Sequence, residues 1–269
     1  MSNKLKHLFK LLDDENQQTA SLAMAQLLNY EDKISPALRK LQESGNDRLR
    51  KRIHQIQSII TLRRRRKSLS QNLKNKHANL IKALIELHLQ WYDNDAEEII
   101  FQYWTELRDN AIKNNISSLE KLGLFMQKSG FNAVNKDDVE ADYYCIGIVF
   151  EDLMGSDFIL CSIAREIAAA SGLELKIIQL IGDFGLMNQQ GQILLPKNGW
   201  RIISDMKIKK EHYKEWNASM ILNFASSLLF MCAVSMNSFR YINTLGTCMA
   251  KSNGKENISF LPYPYNTKK

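Results

Sequence analysis

Apolar residues in the first 75 positions recur at intervals of three and four, which is the spacing of one helix face. The longest stripe consists of Leu49, Ile53, Ile56 and Ile60, and a shorter one consists of Leu22, Ala25 and Leu28. Polar turns separate the stripes, so the predicted helices are short. Helices that are apolar on one side bury that side by stacking on neighbours, and the pattern therefore predicts about two HEAT-like helical hairpins.

From residue 76 onward, helical stripes alternate with short runs typical of strands. Helices are predicted over residues 80–87, 97–107, 119–125, 144–153 and 158–170, followed by a last helix from Tyr213 to about Ala250. Strands are predicted over residues 173–180, 192–195 and 201–203, with a PKNG turn between the last two. The fold class is therefore α+β, predominantly helical, with a small antiparallel sheet.

Three polar or glycine positions predict how these helices begin and end. Asp95 precedes the helix over residues 97–107 and is expected to cap it. Gly130 and Gly172 each follow an apolar-periodic helix and precede a change of direction. We expect both glycines to lie at helix C-termini with positive φ, since glycine adopts this conformation without a steric penalty.

Charge divides the chain in the same way as the hydrophobic pattern. The 269 residues carry a net charge of +7. Residues 1–82 hold 18 Lys and Arg against 7 Asp and Glu, a net +11, whereas residues 83–269 hold 18 against 22, a net −4. We therefore predict a basic HEAT-like module over residues 1–75 and a second domain over residues 76–269. With 45% hydrophobic residues and only 4 prolines, wholesale disorder is excluded.

Cysteine usage favours a reducing compartment. The four cysteines are dispersed, and none forms a CxxC pair, which argues against a disulfide scaffold and a zinc ribbon. The first residues show no apolar segment of a secretory leader, so a cytoplasmic location is expected. HExxH, GxGxxG, Walker A and EF-hand patterns are absent from the sequence, and no metal or cofactor is expected.

A dense basic run closes the predicted first module. It comprises Arg63, Arg64, Arg65, Arg66 and Lys67, and nearby stand Arg48, Arg50, Lys51 and Arg52. One interpretation is a binding face for a polyanion such as RNA, DNA or an acidic partner. The other is a solvated helix end whose cations interact favourably with the helix dipole. No aromatic residue is interleaved with the run, so bases would have no stacking platform.

Four segments carry a resemblance to a known family. They read LGLFMQKSGF, DYYCIGIVFEDLMG, ILCSIAREIAAASGLELKIIQLIGDFGL and ILLPKNGW. In order and apolar spacing they resemble the SirB-type branch of the transglutaminase-like superfamily. The resemblance implies a papain-like fold for the second domain, and members often carry a helical segment in front. It covers roughly residues 1–245.

The resemblance also implies where the catalytic triad of the family would fall. Catalytic relatives use a cysteine at a helix N-terminus, a histidine on the next strand and an aspartate on the strand after that. In this chain, Asp157 and its neighbours Phe158 and Ile159 occupy the thiol region, Asp183 occupies the histidine position and Leu195 the aspartate position. The apolar framework matches the family, while every reactive position departs from it.

Other residues could in principle replace the missing groups. Cys161 lies one turn inside the predicted helix and is either a displaced nucleophile or a small buried hydrophobe, and the second interpretation is favoured because the thiol lacks a base. Asp183 could act as a carboxylate base, or it is a solvated strand-end residue. None of the five histidines falls on the expected strand, and His212 is interpreted as a loop residue.

Three classes of function remain open from the sequence. The first is a non-catalytic binding, scaffolding or regulatory protein with an unknown protein partner. The second is a cysteine-type or carboxylate hydrolase with a rearranged site, and the third is a nucleic-acid-binding adaptor that uses residues 48–67. Residues 218–236 carry no charge and have the length of a membrane span, but their Asn and Ser residues favour a core helix.

Overall fold

The computed structural model describes residues 3–135, 137–203 and 209–254, with the exception of the Asp32 side chain. Within these ranges the chain forms eleven α-helices and a small antiparallel sheet, which confirms the predicted α+β class. It divides into two compact units, residues 1–67 and 68–269, whereas the sequence placed the boundary near residue 75. Residues 1–2 and 255–269, assigned above to the two domains, lie outside the described residues.

The first unit is built from helices alone. They are α1 (Asn3–Leu11), α2 (Gln17–Leu28), α3 (Ser35–Leu41) and α4 (Asp47–Asn72), the last of which continues into the second unit. Ile53, Ile56 and Ile60 are buried as predicted. The predicted stripe on α2 is wrong, because Leu22 is 67% exposed and Ala25 is exposed as well. Ala20 and Ala23 face the core instead. The prediction placed Leu22 in the core because leucine is more hydrophobic than alanine.

The second unit places seven helices around the sheet. They are α5 (Leu80–Trp91), α6 (Glu97–Lys113), α7 (Leu119–Lys128), α8 (Ile146–Asp152), α9 (Asp157–Ala170), α10 (Ala218–Ser235) and α11 (Phe239–Ser252). The single helix predicted from Tyr213 to Ala250 is wrong. Its start is a strand, the Asn217 side chain then caps α10 by accepting from Met220 N, and the chain turns at Asn237, whose φ is +52°.

The main sheet has five short strands. They are β3 (Lys176–Leu180), β4 (Asp183–Met187), β5 (Ile193–Leu195), β6 (Arg201–Ile203) and β7 (Tyr213–Trp216). Their order is β6-β5-β4-β3-β7, and every neighbouring pair is antiparallel. A separate parallel pair consists of β1 (Asn132–Ala133) and β2 (Met154–Gly155). The strand over residues 201–203 was predicted with its observed bounds, while β4 and β7 were missed by the hydrophobic pattern.

The two faces of the five-stranded sheet belong to different apolar clusters. Ile177, Phe184, Leu186 and Leu194 join the large core that also contains α9. Ile178, Leu180, Met187, Ile193 and Leu195 form a separate cluster. Successive strand residues point to opposite faces, so the first set faces α9 and the second faces away from it. This alternation decides which side chains reach the start of α9.

Gly130 and Gly172 end α7 and α9 as predicted. Their φ values are +85° and +79°. Each helix end carries the paired hydrogen bonds of a Schellman motif: Gly172 N donates to Ala169 O, and Leu173 N donates to Ala168 O at 2.9 Å. The glycine conformation thus fixes the point at which the chain leaves α9 and turns toward β3.

Helix α10 is the charge-free segment noted in the sequence. Of the helices in the described part of the chain, it alone is long and apolar enough to cross a membrane by length and composition. Nine of its residues are buried, and Ile221, Leu222 and Leu229 belong to the large core. A core helix of a soluble protein passes the same test, so the hydropathy of α10 is weak evidence for a membrane span.

Candidate functional site

The start of α9 is the region where the resemblance predicts a reactive group. Ser156 is the N-cap in an extended conformation, and its backbone N–H donates to Tyr143 O at 3.1 Å. Ten residues of α9 are buried, from Asp157 to Ala168. This burial holds the N-terminus of the helix firmly against the sheet, as a site with fixed geometry requires.

Asp157 joins α9 to β4 through backbone hydrogen bonds. The residue is buried, with 8% of its surface exposed. Oδ1 accepts from Phe158 N at 2.8 Å, and Oδ2 accepts from Phe184 N at 2.8 Å. A buried carboxylate is stable when backbone amides satisfy its oxygens, and a helix N-terminus favours negative charge. Asp157 is therefore a structural group at the start of α9.

The other two triad-equivalent positions do not meet Asp157. Leu195 belongs to the cluster on the sheet face that points away from α9. Asp183 lies one residue before Phe184, so strand alternation turns its side chain to that same face. There its Oδ1 accepts from Lys197 Nζ at 3.3 Å. The structure thus brings only the backbone of β4, through Phe184 N, to the carboxylate of Asp157.

Cys161 lies one turn into α9, in a position closed to solvent. Its exposed fraction is 0%, and burial, followed by the nearby charge of Asp157, raises the pKa of its thiol well above the ordinary value of 9.0. A raised pKa keeps the sulfur protonated and unreactive. This environment agrees with the interpretation of Cys161 as a buried hydrophobe.

The histidines lie elsewhere in the chain. His88 on α5 is fully buried, and its Nε2 lies 2.9 Å from Asp95 Oδ2. The predicted capping role of Asp95 is therefore wrong: α6 has Ala96 at its N-cap and no side-chain cap bond. His7, His54, His77 and His212 are exposed.

A small cavity opens beside the start of α9. Its volume is about 190 Å³, and its lining includes Tyr144, Ser156, Phe158, Phe184, Phe224 and Asp138. The hydroxyl of Ser156 is buried and has no hydrogen-bond partner among the described residues. The resemblance pointed to the start of α9 and to a strand at Asp183. The residue pattern alone did not predict β4, because DFGLM is too short and too glycine-interrupted.

A second, larger hollow lies at the other end of α9. It has a volume of about 750 Å³ and is bordered by Arg165, Glu166, Lys176, Asn188 and Tyr213, among others. Three of the charged groups that line it are in ion pairs: Arg165 bonds Glu166, and Lys176 Nζ lies 2.9 Å from Glu215 Oε1. The groove between α9 and β3 is thus open at its two ends and closed between them by core side chains.

The basic residues of α4 in the first unit have two kinds of environment. Arg52 Nη1 donates to Leu12 O at 2.5 Å and to Asp14 O at 2.8 Å, and Arg63 Nη1 donates to Leu28 O at 3.3 Å. Two other arginines form ion pairs: Arg48 with Asp13 and Glu15, and Arg50 with Asp47. These arginines satisfy backbone carbonyls and local carboxylates.

The run from Arg63 to Lys67 is not a helix end, because α4 continues to Asn72 and has no basic residue in its last turn. The dipole interpretation of the run is therefore wrong. Arg63, Arg64 and Lys67 border a hollow of about 60 Å³ together with Glu31. Six of the nine basic residues are exposed, and the other three, Arg52, Arg65 and Arg66, are half-buried.

Comparisons with family models, with curated proteins and with solved structures gave no match. The likeness to transglutaminase-like proteins therefore rests on the residues quoted above. Among the described residues, no group of three or more His, Cys, Asp or Glu side chains is arranged to hold a metal ion.

Proposed function

We propose that this chain is a non-catalytic, transglutaminase-like protein that acts by binding. One observation carries the proposal: the Asp157 carboxylate occupies the helix N-terminus, and both its oxygens accept backbone N–H groups, from Phe158 and Phe184. A nucleophile or base must be within reach of a substrate. Asp157 is buried, and its bonds to the amides of Phe158 and Phe184 join α9 to β4.

The arrangement of Asp157, Asp183 and Cys161 gives little support to a hydrolase with a rearranged catalytic site. A mechanism with two carboxyl groups needs both of them within reach of one substrate. Asp157 and Asp183 belong to opposite faces of the sheet, and Asp183 is paired with Lys197. A thiol mechanism needs a base within about 3 Å of an ionisable sulfur, and Cys161 is buried with a raised thiol pKa. Binding is the function that remains, in a cytoplasm where the four free cysteines stay reduced.

Native-state labelling with iodoacetamide tests the absence of an activated thiol. Cys161 should stay unlabelled in the folded protein and should react only after denaturation, since the buried thiol is neither ionised nor accessible. Cys161→Ala serves as the control that assigns the labelled peptide. Rapid labelling of native Cys161, with an apparent pKa well below about 8.5, would contradict the proposal.

A second candidate function is polyanion binding through α4. The observation that favours it is the hollow in which Arg63, Arg64 and Lys67 converge. All three side chains are exposed, and Arg63 also donates to a backbone carbonyl. A convergent group of exposed cations is what phosphate recognition requires.

The test of this candidate separates binding from stability. The double substitution Arg64→Gln and Lys67→Gln should weaken binding to single-stranded RNA or duplex DNA and reduce the slope of log K against log salt by about one to two. Lys4→Gln with Lys6→Gln, on exposed positions of α1, is the matched control of equal charge change. Equal loss in both variants, or no salt-dependent binding by the unchanged protein, refutes this candidate.

A further inference from the structure

The cavity beside the start of α9 has room for one ring and not for a whole ligand. Its volume is about 190 Å³, which is below the roughly 300–1,000 Å³ of pockets that enclose drug-sized molecules. An engineered apolar cavity of about 150 Å³ in another protein binds benzene, so a six-membered ring fits a space of this size. A nucleotide or a dinucleotide cofactor would extend well beyond it.

Aromatic rings form a large part of the cavity wall. Tyr144, Phe158, Phe184 and Phe224 all border it. The ring centroid of Phe158 lies 6.1, 5.7 and 5.1 Å from those of Tyr144, Phe184 and Phe224. Rings at such separations attract one another in tilted and edge-to-face arrangements, beyond the gain from burying their area. A guest ring in the cavity can form the same kind of contact with several of these side chains.

Aliphatic and polar residues complete the wall. Val134, Val139 and Leu228 are the aliphatic ones. Among the described residues that line the cavity, none is Lys, Arg or His. A phosphate or carboxylate group would therefore enter without a cationic partner, and burial of an unpaired charge is costly. The lining thus favours an apolar guest over an anionic one.

Two side chains of α10 leave apolar surface open at the cavity. Phe224 and Leu228 stand one turn apart, and both border the cavity. Both pack against the large core and are only half-buried there. Covering apolar surface that is open to water is favourable, and a guest ring would cover it at these two side chains. Part of the hydropathy of α10 thus lies at the cavity and not in the core.

The wall is held in place before any ligand arrives. Asp157 accepts from Phe158 N and from Phe184 N, each at 2.8 Å, so one carboxylate fixes α9 and β4 relative to each other beside the cavity. Trp216 is not among the described lining residues, and its ring packs on Phe184 and Phe224 with centroids 4.9 and 5.3 Å away. A wall that is already ordered loses less conformational entropy on binding.

We propose that the cavity formed by Tyr144, Phe158, Phe184 and Phe224 binds an aromatic ring. The inference rests on the proposed binding function and names its ligand chemistry. The ring belongs either to a free small aromatic molecule or to an aromatic side chain of a protein partner. Val139, which borders the cavity and is 55% exposed, marks the side from which the ring enters.

The experiment compares phenol with cyclohexanol, a saturated ring that carries the same hydroxyl, by calorimetry and amide chemical-shift perturbation. Phenol should bind saturably and about fivefold or more tighter than cyclohexanol, because only the aromatic ring gains the ring–ring contacts. The amides of Phe158 and Phe184 should shift on binding. Equal or tighter binding of cyclohexanol overturns the proposal, and so does an absence of saturable phenol binding.

Substitutions on α10 locate the site. Leu228→Trp should fill part of the cavity and weaken phenol binding about fivefold or more. Met231→Trp, at an exposed position of the same helix, is the matched control and should change nothing. Phe224→Leu removes one ring and should weaken phenol binding about threefold while leaving cyclohexanol binding nearly unchanged. If Leu228→Trp and Phe224→Leu both bind phenol as tightly as the unchanged protein, the cavity is not the site and the proposal fails.

A short peptide with one phenylalanine and blocked ends distinguishes the two sources of the ring. Tighter binding than phenol identifies an aromatic side chain of a protein partner, and equal or weaker saturable binding identifies a free aromatic molecule; both results support recognition of an aromatic ring. The iodoacetamide experiment stays separate. An activated Cys161 would refute the proposed function, whereas failed phenol binding with an inert Cys161 refutes this inference alone.

Discussion

Arg52 in the first unit and Asp157 in the second use opposite charges for the same purpose. Arg52 donates to Leu12 O and Asp14 O just beyond the end of α1, and Asp157 accepts from Phe158 N and Phe184 N at the start of α9. Helix ends leave carbonyls and amides without intrahelical partners. The cationic Arg52 donates to carbonyl groups, and the anionic Asp157 accepts from amide groups.

The difference between the two lies in burial. Arg52 is half-buried and keeps contact with water, whereas Asp157 is only 8% exposed. Removing Asp157 would leave two buried amides without an acceptor, whereas water can replace part of the hydrogen bonding that Arg52 gives to its two carbonyls. In both regions, a charged residue that the sequence marks as a candidate functional group is hydrogen-bonded to the backbone. We therefore expect its substitution to lower the free energy of unfolding.

The largest effect is expected at Asp157. Asp157→Ala should lower the free energy of unfolding by about 3 kcal/mol, since two buried N–H groups lose their acceptor. Asp157→Asn should cost less, because one side-chain oxygen remains. Urea denaturation followed by circular dichroism measures both. Asp183→Ala is the matched control and should cost less than about 1 kcal/mol, as expected for a partly exposed ion pair. An equal loss of stability at both positions would show that the bonds from Asp157 to the two backbone amides do not stabilise the fold.

Arg52 should show the next largest effect. Arg52→Met keeps the apolar stem and removes the guanidinium, so unfolding should become easier by about 1–2 kcal/mol. Lys51→Met, at the neighbouring exposed position, should stay within about 0.5 kcal/mol of the unchanged protein. Thermal unfolding of the two variants provides the comparison. If they are equally stable, the bonds from Arg52 to the carbonyls contribute nothing.

Ile181 offers a change in the opposite direction. It stands in the tight turn between β3 and β4 with a φ of +50°, next to Gly182 at +85°, and is 85% exposed. Such turns favour Asn-Gly, and a β-branched residue there is strained. Ile181→Asn should therefore stabilise the fold by about 0.5–1 kcal/mol. Ile181→Val keeps the β-branch and should be neutral. A destabilised Asn variant would mean that the exposed isoleucine makes stabilising contacts.

Glu86 gives the smallest effect and a dependence on pH. It is buried, accepts from Ser68 Oγ and Asn72 Nδ2, and has a pKa raised above 4.5 mainly by burial. The folded state then binds the proton more tightly than the unfolded state, so this contribution to stability falls as pH rises from 4.5 through the folded pKa. Glu86→Gln should flatten the curve in that window, as measured by denaturation across pH. An unchanged slope would show that Glu86 does not titrate in the fold.

The sequence predicted the helix ends better than the site. Gly130 and Gly172 were predictable because few residues other than glycine tolerate a left-handed helix terminus. The contact between Asp157 and Phe184 N was not, because a backbone amide is present at nearly every residue and leaves no signature in the sequence. The face of Asp183 depended on the register of β4, a strand that the residue pattern did not reveal. The alternation of side chains along β4 therefore had to come from the structure.

The pairing of β7 with β3 has a consequence during synthesis on the ribosome. Leu180 pairs with Tyr213, so one edge of β3 has no strand partner until the intervening residues and β7 have been made. At about 5–20 residues per second, that interval lasts several seconds. During it Ile177 and Ile178 stand on an open strand edge, the kind of surface at which nascent chains associate with one another. Chaperone demand should therefore peak in this window and end when β7 docks.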